Sequence, residues 1–162
     1  MNFLYTEYHY SLYCAGSVIF YYGYFVTNTL LYAFNRKYRL LSNEKQMYVV
    51  SNLLKAIFLC ITTPLAGYIL YDTMYLRNWN NPLIKNLGVL YAIPDTVSLL
   101  LVKKMDITTK IHHIIVMLFN IISISNNYHV DNILRFLIIY ASFSTFAFIV
   151  NFILAARFLH DN

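Results

Sequence analysis

The chain reads as an all-α, multi-pass transmembrane bundle of about five antiparallel spans. Three observations predict this class. The 162 residues are 59% hydrophobic and only 12% charged, with a mean hydropathy of +0.53, a composition that excludes an ordinary water-soluble domain. Two stretches without Lys, Arg, Asp or Glu, 8–35 and 136–156, are each long enough as a helix to cross a hydrocarbon core of roughly 30 Å. Finally, Lys and Arg concentrate in alternate connections.

In chain order, the first expected span is 8–35. It lacks a basic leading region and is too long for the apolar core of a signal peptide, so it is expected to remain in the membrane. The second, third and fourth spans are expected near 46–71, 83–102 and 110–127, because charges, asparagines and Pro82 fall between them. The fifth lies between Arg135 and Arg157. A sixth, half-buried segment over 72–86 is compatible with the pattern. One integral-membrane domain, 1–162, accounts for the whole chain.

Arg36, Lys37, Arg39, Lys45, Lys103, Lys104, Lys110 and Arg157 share one side in this arrangement, against Arg77, Lys85 and Arg135 on the other. The positive-inside rule then sets the amino terminus lumenal or outside and the carboxyl terminus in the cytosol. The net charge of +5 is topological and suits anionic headgroups, so no nucleic-acid partner is expected. Cys14 and Cys60 are too few for a disulfide framework.

Polar side chains inside a span should face the bundle interior. Stripes at helical spacing are Tyr48, Ser51, Asn52, Lys55 and Thr62; Gly88, Tyr91, Asp95 and Ser98; His113, Met117, Asn120 and Ser123; and Tyr140, Ser144 and Asn151. Lys55 and Asp95 fall at similar depth. A lone charge there costs about 2.5–3.5 kcal/mol on insertion scales, so the two are expected to form an ion pair. Adjacent His112 and His113 diverge by about 100° on a helix, with His113 expected inward. Thr108 or Thr109 is expected to cap their helix, whose positive end disfavours imidazolium. Counting from the flanking lysines sets His113 about 7 Å shallower than Asp95, so no direct contact is expected between them. Pro94 bends the span beside Asp95.

Metal chemistry is not expected. Five histidines are too few for a membrane di-iron centre, and the diverging His pair has no evident third ligand for zinc. A serine-hydrolase elbow is absent. His-centred acyl transfer, or lipid binding without chemistry, remains.

The segments "YAIPDTVSLLL", "KIHHIIVMLFNIIS" and "ASFSTFAFIVNFILAARF", over a core of about 47–158, resemble the TLC domain family of multi-pass membrane proteins. That family includes the ceramide synthases and small lipid-regulating proteins. The resemblance implies an endoplasmic reticulum or other internal membrane and a role in lipid binding or lipid metabolism. It also implies His112 and His113 as a reactive pair for acyl transfer from acyl-CoA, with Asp95 assisting. Ser144-Thr145 followed by Asn151 is similar to a late Ser-Thr signature. Ser142 stands where many members have Glu, Lys55 where His is common, and the acidic pattern that follows the His pair in ceramide synthases is missing.

The expected site therefore combines His112, His113 and Asp95 with a cavity lined by Lys55, Asn52, Asn120, Ser144 and Asn151. No cofactor is expected, acyl-CoA serving only as a substrate. A non-catalytic membrane lipid sensor or adaptor is the alternative, with its protein partner unspecified.

Overall fold

The structure is a computed structural model that describes residues 6–160; the ends of the 1–162 domain lie outside it. Among the described residues it is helical throughout, with no strand. The elements are α1 (His9–Phe34), α2 (Arg36–Leu40), α3 (Asn43–Leu70), α4 (Asn81–Leu101), α5 (Ile107–Ser125), α6 (Leu134–Ser144) and α7 (Phe148–Ala156). A π-helical turn, Tyr71–Tyr75, prolongs α3, and a 3₁₀ turn, Thr145–Ala147, joins α6 to α7.

Four segments are long and apolar enough to cross a membrane: Asn43–Tyr75, Asn81–Leu101, Ile107–Ser125 and Leu134–Ala156. They correspond to four of the five expected spans. The other, α1, has the length and no charge, but six tyrosines and several Ser, Thr and Asn residues make it less apolar. No sixth segment lies over 72–86. Those residues are the end of the α3 helical run, a loop, and the first turn of α4, whose start is fixed by the Asn80 side chain accepting from Leu83 N at 3.0 Å.

Helix direction alternates. At one end, Asn35 and Lys37 reach the backbone carbonyls of Leu159 (3.3 Å) and His160 (2.6 Å), and Lys104 meets Glu44 at 2.7 Å. At the other, Asn81 bonds Asn127 at 2.9 Å and Asn86 donates to the Thr6 carbonyl at 3.0 Å. The eight cations counted above on one side therefore share one end.

Helix α4 sits in the middle. Two thirds of its apolar window is buried (67%), against 17–22% for the other three spans, and it packs on α1, α3, α5 and α6. An apolar cluster of Phe20, Tyr24, Val49, Val50, Val89, Ile93 and Val97 joins α1, α3 and α4. Gly16 permits the close approach of α1 to α4, since a Cβ there would stand 2.5 Å from Ile93 Cδ1. The short α2 closes the basic end. Its Tyr38 is fully buried, donates to Asn28 Oδ1 at 2.5 Å, and its carbonyl accepts from Gln46 at 3.0 Å. Burial pushes the Tyr38 phenol up to about 12.

By contrast, α5 packs chiefly on α4. Its buried residues are His113, Asn120 and Ser123, so nearly all of its apolar surface faces outward, as lipid allows and water would not.

Candidate functional site

The site forms where α3, α4 and α5 converge near the basic end. Asp95 is wholly buried, and its Oδ1 is paired with Lys55 Nζ, whose side chain is 13% exposed. Two charges at this depth stabilise each other because water cannot solvate either one. The expected ion pair is present.

His113 Nδ1 lies 2.8 Å from the same Oδ1. This contradicts the expected separation of about 7 Å, and the helix boundaries give the reason. α4 ends at Leu101 and α5 begins at Ile107, so Asp95 and His113 each stand about 9 Å from their helix ends. Lys103 belongs to the connection and Lys110 to the first turn of α5, so neither marks a helix end. The cap differs too. Asp106, not Thr108 or Thr109, starts α5, accepting from Thr109 N at 2.9 Å and from the Thr109 hydroxyl at 2.6 Å. The Thr109 hydroxyl and backbone N–H hold the Asp106 carboxyl below its ordinary value of 3.8.

The two histidines differ in environment. The His113 side chain is 7% exposed and that of His112 46%, with His112 Nε2 4.0 Å from Asp95 Oδ2 and the rings 5.7 Å apart. Their directions do diverge. Even so, one donor atom from each, together with an Asp95 oxygen, falls within 4.8 Å of the others, so the expectation that no third ligand stands near the pair is corrected. Asp95 is that third group. Moreover, Asp95 Oδ2 and His113 Nδ1 have no hydrogen-bond partner, the 2.8 Å approach lacking hydrogen-bond alignment.

A cavity of about 420 Å³, lined by many polar side chains, lies against this cluster and reaches the 102–106 connection. His112, His113, Lys55, Asn52, Asn151 and Asp106 line it. Asn52 and Asn151 each donate to a carbonyl one turn back, Tyr48 and Ala147, both at 2.8 Å. Among the expected cavity residues, Asn120 and Ser144 are elsewhere. Asn120 belongs to a second, mostly apolar cavity of about 200 Å³ between α4, α5 and α6, which His112 also borders. Ser144 lines neither and bonds Tyr140 O on its own helix at 2.8 Å. The inward polar residues of this span are instead Ser142 and Thr145, which continue the buried face of Ile138 at helical spacing, whereas Tyr140 is exposed and Ser144 follows its face.

A hydroxyl cluster lies one turn along α4 from Asp95. Ser98, one turn on, donates to the Pro94 carbonyl at 2.7 Å and meets Ser51 and Tyr24 at 2.9 Å each. Tyr24 had no sequence signal, being one of six tyrosines in α1.

No family model, no curated protein and no solved structure matches the chain.

Proposed function

We propose that the protein is a TLC-type lipid-handling membrane protein that transfers an acyl group from acyl-CoA to a lipid amine or hydroxyl. The observation that carries this reading is the His113–Asp95–Lys55 constellation at the wall of a cavity with a polar mouth and a neighbouring apolar chamber. His113 takes the proton of the acceptor, whose nitrogen or oxygen attacks the thioester carbonyl. Asp95 stabilises the imidazolium so formed, and that proton then leaves with the thiol of coenzyme A. Lys55, paired with Asp95 Oδ1, supplies the counter-charge beside it. His112, bordering both cavities, positions the substrate where headgroup and hydrocarbon meet.

The orientation that goes with this reading has the site open to the cytosol, where acyl-CoA is found, in the endoplasmic reticulum or another internal membrane. The eight basic residues at that end support it.

The test is acyl incorporation by membranes containing the chain, supplied with labelled acyl-CoA and a panel of long-chain bases and lysolipids. Product that falls about a hundredfold or more in His113→Ala supports the base assignment. A folded sample without turnover, from which a lipid co-purifies, overturns the enzyme and leaves the sensor.

A further inference from the structure

We propose that Asp95, His112 and His113 form a binding site for one divalent transition-metal ion, with an open coordination position facing the polar cavity. Two imidazoles and a carboxylate are the donor set that zinc and its neighbours prefer. One donor atom from each residue already lies within 4.8 Å of the others. Around a tetrahedral ion with bonds of 2.0–2.2 Å, such atoms stand about 3.4 Å apart. The remaining closure falls to His112, whose ring is 46% exposed and has room to turn.

The second observation is independent of spacing. Asp95 Oδ2 and His113 Nδ1 are buried without an aligned hydrogen bond, and unlike Ser17 Oγ and Asn120 Oδ1, which share that state, they belong to one His/Asp cluster. Buried polar atoms without partners are uncommon and unfavourable. A cation between them removes both vacancies. Lys55 occupies Oδ1 and leaves Oδ2 free, so Asp95 serves as a monodentate ligand oriented by an outer partner.

The cavity of about 420 Å³, which Thr109 and Asp106 also line, supplies space for a fourth ligand. Because Lys55 adds a positive charge beside the ion, that ligand is anionic: hydroxide, carboxylate or phosphate. The consequence for regulation rests on the acyl-transfer reading. A His113 nitrogen committed to the metal cannot take a proton, so occupancy silences transfer.

The experiment uses the full chain purified in detergent, stripped with a chelator, and titrated with Co²⁺. The expected result is one equivalent bound, with the visible absorption of low-coordinate Co(II), displaced by Zn²⁺ and unaffected by Mg²⁺. His112→Ala is the informative variant, since a half-exposed ring is dispensable for folding, and a matching circular dichroism spectrum confirms the fold. Loss of an outer-shell group alone typically weakens binding about 10–100-fold, so removal of this ligand should weaken it at least about tenfold. Zn²⁺ should raise the Tm of the wild type and not that of His112→Ala. Absent Co(II) absorption in the wild type, or undiminished binding in the variant, overturns the proposal. The titration needs no substrate. Metal binding without acyl transfer therefore refutes only the enzyme reading, and acyl transfer without metal binding refutes only this one.

Discussion

The two ends of the α4–α5 pair are both polar, yet they are built to opposite rules. At the far end, the Asn81 side chain bonds both Asn127 and the Tyr128 N–H, at 2.9 and 2.6 Å. Arg135 Nε and Nη2 donate to the Tyr128 carbonyl at 3.0 and 2.7 Å, while its guanidinium stacks 4.4 Å above Trp79 and pairs with Asp131. None of these side chains is left with a buried, unpartnered atom. At the basic end, Asp95 and His113 are buried deeper, and each keeps one. A saturated polar cluster near the surface fastens helices together; the unsaturated one, buried deeper, is where the proposed ion would bind.

Mutations sharpen that contrast. The largest effect should come from Asp95→Leu, which leaves the Lys55 ammonium buried without its partner. Removing one member of such a pair costs about 3–5 kcal/mol, to be read as lost stability in chemical denaturation. Adding Lys55→Met should recover most of it, and a double variant as unstable as the single would show that the pair is not the cause.

At the saturated end, Arg135→Ala removes charge-assisted bonds and ring stacking, for a loss of about 1.5–3 kcal/mol. It should leave acyl transfer and Co²⁺ binding unchanged. A shared loss of function would mean the ends are coupled and the contrast is wrong.

Ser98→Ala is expected to cost about 1 kcal/mol. It breaks the hydroxyl chain from Tyr24 and Ser51, a change that the Tm would register.

The smallest effect concerns the start of α5. The Asp106 carboxyl has a folded value depressed below 3.8, so its contribution is full above that pH and is lost as pH falls through the folded value. Hydrogen exchange in the first turns of α5 should quicken on acidification in the wild type. In Asp106→Ala it should already be fast and show no such acid dependence.

The sequence by itself determined the membrane class, the alternation of helices and the Lys55–Asp95 pair. In a bilayer a charge has few places to go, and charges at matching depth seek each other. It also determined the inward face of α5, because His113, Asn120 and Ser123 repeat at helical spacing and are its buried residues. The sequence could not determine where helices begin. Lys103 and Lys110 marked the connection only loosely, and a few residues of error became the 7 Å that separated His113 from Asp95 on paper. Nor did spacing alone choose between the two polar faces of α6, of which the one holding Ser142 and Thr145 is buried and the one holding Tyr140 and Ser144 is not. The resemblance grouped His112, His113 and Asp95 in one site, but their approach to within 4.8 Å of one another belongs to the tertiary structure alone. Adjacent residues on one helix point apart, and only a third residue, delivered by another helix at the right height, can bring their donor atoms around one point.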